Sequence, residues 1–112
     1  MKKLLCAVMV IVLALSGAAF AHGHEERYVR EEAARRNMKL ITQEEATKIA
    51  TAQLSAKDVR FTKVELEDED DYYTQKGDFK PVWTFDAIAD GQEYDIDVDA
   101  VTGKVLKCQL DD

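Results

Sequence analysis

Three aspartates stand at every second position in "EYDIDVDAVTGKVL", residues 93–106: Asp95, Asp97 and Asp99. Carboxylates at positions 1, 3 and 5 are how a calcium loop begins, and such a loop then needs glycine at position 6 and a bidentate glutamate at position 12. Counted from Asp95, those positions hold Ala100 and Leu106, so both requirements fail. A strand explains the same spacing without a metal. Its successive side chains point to opposite faces, which turns Tyr94, Ile96 and Val98 toward a core and the three aspartates toward water. Carboxylates aligned on one face repel one another unless cations on neighbouring strands lie alongside, and Lys104 and Lys107 are the candidates.

Other reactive side chains are few. The two histidines are His22 and His24, and Cys108 is the one cysteine beyond residue 21. A buried Ser-His-Asp or Cys-His arrangement cannot be assembled from these inside a domain, and no isolated carboxylate pair sits in an apolar setting. No catalytic residue and no cofactor is assigned. If the chain is cleaved after Ala21, the new terminus is His22-Gly23-His24. A free amine, two backbone nitrogens and an imidazole at position three chelate copper(II) or nickel(II) in a square plane, so His22 and His24 are candidate metal ligands on that condition. The alternative is a flexible terminus with incidental histidines. Cys108 shares a strand phase with Leu106 and Leu110, which predicts a buried, inert thiol; an exposed one would yield disulfide-linked dimers.

Residues 1–21, "MKKLLCAVMVIVLALSGAAFA", have the layout of a secretory signal: two lysines, an apolar run from Leu4 to Leu15, then Ala19-Phe20-Ala21. The run is shorter than the roughly 20 residues a spanning helix needs, so no stable membrane insertion is expected after cleavage. Cys6 sits too early to accept a lipid. The expected location is periplasmic or extracellular. The chain carries 22 Asp+Glu against 15 Lys+Arg, a net charge of −7, and loses two more positive charges with Lys2 and Lys3. Such a surface repels nucleic-acid phosphates and anionic lipid, so nucleic acid is not an expected partner, while cationic partners are favoured. At 112 residues the chain holds one small domain, and no second core.

From His22 to Lys39, Glu26–Arg30, Glu31–Arg35 and Glu32–Arg36 are i,i+4 pairs with the acid leading, which predicts a helix. Its apolar face is thin, Val29, Ala33 and Leu40 with Tyr28 beside them, so the helix is expected to be solvated and partly frayed, leaning on the domain or connecting it to something else. Thr42 and Glu45 then form a capping box, with Ile41 and Ala46 as its hydrophobic staple. Ala46, Ile49, Ala50 and Leu54 lie on one buried face of the helix that follows, and Ser55 to Lys57 ends it.

Beyond it the apolar period changes to two. Val59 and Phe61 stand in one phase and Val64 and Leu66 in the other, which predicts a strand with a bulge or bend near Thr62-Lys63. Glu67 to Asp71 reads as a solvated loop, and "YYTQKGDF" as a short strand turning through Lys76-Gly77-Asp78. "KPVWTFDAIA" is a strand with its proline at the start. Asp90-Gly91 marks a type I′ hairpin, and Thr102-Gly103 a second turn. The expected fold is α+β, with one main helix packed on an antiparallel β-meander of four or five strands, preceded by a charged N-terminal helix.

"ITQEEATKIA", a strand-rich middle and "DGQEYDIDVDAVTGKVL" together resemble the PepSY family, the small module named from peptidase propeptides and a spore-germination protein. The likeness covers a PepSY-like domain at 41–110, behind the signal peptide at 1–21 and the charged helical segment at 22–40. In the family's pattern Asp99 and Thr102 serve the last turn and Gly103 supplies its backbone freedom. The resemblance implies a somewhat cystatin-like fold in exported or tethered bacterial proteins, with no known catalytic residues and with inhibition or chaperoning of peptidases. No protease domain follows in this chain, so inhibition would act in trans on an exported peptidase. The other expectation is a generic envelope interaction or sensor domain, which binds another envelope protein or takes copper or nickel through its mature N-terminus. Tyr72 and Tyr73 are the candidate partner-binding residues.

Overall fold

The computed structural model describes residues 24–111. The signal segment 1–21, His22 and the side chain of His24 lie outside the described residues, and with them the copper or nickel reading.

Helix α1 spans His24–Arg35 and helix α2 Gln43–Ala52, followed by strand β1 at Val59–Asp68 and the single-turn helix α3 at Asp70–Tyr73. Strands β2 (Pro81–Ala89), β3 (Gln92–Asp99) and β4 (Val105–Leu110) complete the described chain. The four strands pair antiparallel in the order β1-β2-β3-β4, the meander that the period of two predicts. Asp90 and Gly91, at φ 51° and 83°, make the tight β2–β3 turn, whose backbone twist matches that of its strands.

Helix α2 begins where its capping box says it should. Thr42 Oγ1 accepts from the Glu45 N–H at 3.0 Å, and Glu45 Oε1 accepts from the Thr42 N–H at 2.9 Å. Its buried Ala46 and Ala50 are small enough to bring the helix close to β2 and β3. In β1 the register slips between Phe61 and Lys63, and this bulge returns Val64 and Leu66 to the core face that Val59 and Phe61 already occupy. Trp83 is fully buried between Leu66 and Val98 on the neighbouring strands, and its indole N–H donates to the Ile41 carbonyl at 3.1 Å. That bond ties the α1–α2 connection to the centre of the sheet.

Two local expectations are corrected. Helix α1 leans on the domain, the first of its two expected dispositions, but is docked on β1 rather than frayed: Val29 and Ala33 are buried, the Arg30 guanidinium lies 5.8 Å from the Trp83 ring centroid, and that of Arg36 lies 5.0 Å from Phe79. Tyr28 meets Phe79 edge-on at 6.3 Å. A thin aliphatic stripe suffices because arginine stems and aromatic rings extend it. The ion pairs Glu26–Arg30 (2.8 Å) and Glu32–Arg36 (2.7 Å) form as spaced, whereas Arg35 turns to Glu32 instead of Glu31.

The second correction concerns "YYTQKGDF", which forms no strand. Tyr72 and Tyr73 close α3, and the chain then folds back on Asp70, whose carbonyl accepts the Thr74 N–H at 2.9 Å and whose carboxylate accepts the Gly77 N–H at 2.6 Å. Local side-chain acceptors of this kind compete with a strand ladder for backbone donors.

Candidate functional site

The segment from Glu69 to Lys80 straps the outer face of the sheet through Tyr73 and Lys80, while its Phe79 turns to the core and meets Tyr28 and Arg36 of α1. Its two ends are clasped: the Glu69 N–H donates to the Lys80 carbonyl at 2.8 Å, and the Lys80 N–H to Asp68 Oδ1 at 2.8 Å. Under the strap lie two of the three aspartates. Asp97 and Asp99 are only 6% and 5% exposed, which overturns the expectation that all three face water; Asp95 is half-buried.

Each buried carboxylate has partners. The Tyr73 hydroxyl donates to Asp97 Oδ2 at 2.6 Å, and Lys107 Nζ stands 4.0 Å from the same oxygen. Lys80 Nζ donates to Asp99 Oδ2 at 2.6 Å, while Asp99 Oδ1 accepts the Val101 and Thr102 N–H groups at 2.8 and 3.0 Å. Burial pushes the Asp99 carboxyl up, but Lys80 and the two backbone donors outweigh it and hold the group below the ordinary aspartate value. Burial and then Asp97 push the Tyr73 phenol far above its usual range, so it stays a proton donor.

Asp99, Thr102 and Gly103 build the turn between β3 and β4. The Gly103 N–H donates to the Asp99 carbonyl at 2.9 Å, its φ is +80°, and a Cβ there would stand 3.2 Å from Ile49 Cδ1. Thr102 Oγ1 accepts the Lys104 N–H at 3.1 Å. Of the two lysines expected beside the aspartates, Lys107 reaches Asp97, whereas the cation on Asp99 is Lys80. The sequence held a signal for it. The Asp90-Gly91 hairpin sets Val82 opposite Asp99, and Lys80, two residues before Val82, continues the same face.

Tyr72 and Tyr73 part company here. Their rings stack at 4.8 Å, but Tyr73 points down to Asp97 while Tyr72 is 60% exposed, with Lys107 Nζ 5.2 Å from its ring centroid. Tyr73 is an anchor, and Tyr72 the aromatic surface that the anchor holds in place.

Further along the outer face the carboxylates are less well neutralised. Asp86 on β2 stands directly opposite Asp95 on β3, and burial, then the Asp95 carboxylate, raises its pKa. Glu65 is raised by its hydrogen bond with Glu67, then by burial. A carboxyl whose folded pKa is raised favours the folded state in acid and costs stability as pH rises through the window above the ordinary aspartate value. Asp86→Asn is therefore expected to stabilise the protein by about 0.5 kcal/mol at neutral pH, by removing one of two facing like charges. Thermal melts should show that gain at pH 7 and its disappearance well below the ordinary aspartate pKa, where wild-type Asp86 is already neutral.

Cys108 is exposed, which reverses the expectation of a buried thiol. It lies on the edge strand, beyond α2, which packs on β2 and β3. Partial burial still holds its thiol above the ordinary cysteine value. Among the described residues no three His, Cys, Asp or Glu side chains group to hold a metal ion, and no helix is long and apolar enough to cross a membrane.

A capped helix on a four-stranded meander, with two buried carboxylates committed to a turn and a strap, defines a small α+β domain. The chain matches the family model described as PepSY, peptidase propeptide and YPEB domain, over residues 40–109, and it belongs to that family of propeptide-like regulatory modules. No curated protein and no solved structure matches it.

Proposed function

We propose that this chain is an exported, non-catalytic PepSY module that binds a peptidase in trans and regulates it, with Tyr72 in the contact. The supporting observation is the presentation of Tyr72. A large ring, more than half exposed, is held rigid by its stack on Tyr73, by the bond from Tyr73 to Asp97 and by the clasped strap. Rigid exposed aromatics contribute contact area at low entropic cost, which is why they anchor interfaces. The chain's net charge of −7 adds a preference for a partner with a basic face.

The test is capture from the native envelope with the tagged protein, followed by binding measurements on the captured peptidase. Tyr72→Ser should weaken binding by about tenfold or more, the cost of removing an interface anchor, while the melting temperature changes little because the ring is exposed. Unchanged affinity for Tyr72→Ser would remove that residue from the contact. Capture of an envelope protein that is not a peptidase would favour a general interaction domain.

A further inference from the structure

Building on the proposed function, we infer that the contact at Tyr72 extends around the end of β1 to Tyr28 of α1, and that this surface receives an arginine-bearing ridge of the peptidase. Among the described residues the large apolar side chains that stand exposed are Tyr28, at 48%, Tyr72, at 60%, and Leu110. The two tyrosines flank one junction. Tyr72 follows the acidic end of β1, and Tyr28 meets Phe79 at the far end of the strap. Those two ends are clasped. The Glu69 N–H donates to the carbonyl of Lys80, the residue after Phe79, and the Tyr72 N–H donates to the Glu69 carbonyl at 3.1 Å. An interface of ordinary size, about 800 Å² on each partner, is wide enough to take in both rings.

Both rings are held in place before a partner arrives. Tyr72 stacks on the anchored Tyr73. Tyr28 rests edge-on against Phe79, whose ring is buried and carries the Arg36 guanidinium. Glu25 Oε2 accepts the Asp68 N–H at 3.2 Å, which ties the start of α1 to the end of β1. Phe79 itself has a φ of 42°, a left-handed conformation that bulky residues rarely adopt. Strain of that kind gathers at binding sites and clamps. Helix α1 lies outside residues 40–109, so the contact is not confined to the family module.

Charge gives the partner its chemistry. Residues 65–71 read Glu-Leu-Glu-Asp-Glu-Asp-Asp, and no lysine or arginine occurs from Val64 to Gln75. Asp68 and Asp70 accept the Lys80 and Gly77 N–H groups, whereas the Asp71 side chain stands on the exposed side of α3. The nearby Arg30, Arg35 and Arg36 of α1 are already paired with Glu26 and Glu32. A guanidinium suits a carboxylate run between two tyrosines better than an ammonium does, because its plane stacks on the rings and its fork binds a carboxylate through two hydrogen bonds.

The test measures affinity for the peptidase captured with the wild-type chain. Tyr28→Ser should weaken binding by about tenfold, as Tyr72→Ser does. Asp71→Lys sets a cation against the ridge and should weaken binding by about as much, while wild-type affinity falls as salt rises. Leu110→Ser, on the opposite edge strand, should leave affinity unchanged. Circular dichroism melts should show all of these variants folded. A loss with Tyr72→Ser but none with Tyr28→Ser or with Asp71→Lys overturns the wider surface and leaves the proposed function standing. If no peptidase is captured, or its hydrolysis rate ignores the wild-type chain, the proposed function falls and the wider surface with it.

Discussion

Asp99→Ala is expected to destabilise the protein by about 3 kcal/mol at neutral pH, because it leaves the partly buried Lys80 ammonium without its counter-charge and two turn N–H groups without their acceptor. Urea unfolding at pH 7 measures the loss directly. The pH dependence identifies its origin. The folded-state pKa of Asp99 lies below the ordinary aspartate value, so its contribution is present above that value and is lost as pH falls through the folded pKa. The deficit of the variant should therefore shrink in acid. A loss that is small at pH 7, or that does not change with pH, would mean that the turn holds without this carboxylate.

Trp83→Ala should have the larger effect, about 3–5 kcal/mol, from the cavity left by a fully buried indole. Trp83 also joins three parts of the fold. It fills the sheet between Leu66 and Val98, donates to the Ile41 carbonyl and carries Arg30 of α1 over its ring. A domain of this size has a modest core and a total stability of the same order as that loss, so the variant is expected to be largely unfolded at 37 °C. Far-UV circular dichroism and loss of the cooperative melt are the readouts. Trp83→Phe refills most of the cavity but leaves the Ile41 carbonyl without its donor, and should fall between the two.

Elements with local signals are legible in the amino-acid sequence. The capping box at Thr42 and Glu45, the phase change at Thr62-Lys63 and the Asp90-Gly91 turn each depend on residues within a few positions of one another, and each stands where its spacing puts it. What the sequence conceals is the layer above the sheet. A period of two reveals that Asp97 and Asp99 share a face, but not that the segment from Glu69 to Lys80 closes over it. That closure depends on contacts such as Tyr73–Asp97 and Lys80–Asp99, about twenty residues apart in the chain. The depth of α1 is hidden for a similar reason, since its arginines cover rings on Trp83 and Phe79 that no helical pattern announces.

The expected burial of Cys108 fails on a different ground. Phase assigns a residue to a face of the sheet, and whether that face is covered depends on the width of the layer packed against it. Helix α2 reaches β2 and β3, so Cys108 and Leu110 keep the phase of a core strand without the burial, and a register shift between Lys107 and Val105 takes Leu106 out of that phase. The adjacency of Tyr72 and Tyr73 in the sequence does not show which ring packs and which is exposed. Only the hydroxyl bond to Asp97 separates the anchor, Tyr73, from the exposed ring of Tyr72.

Regulation of a peptidase in trans is tested most directly by the hydrolysis rate of the captured peptidase, titrated with the wild-type chain and with Tyr72→Ser. The rate should change saturably with the wild type, and about tenfold more of the variant should be needed to reach the same effect. A rate that stays constant through saturating wild-type protein would contradict the proposed function.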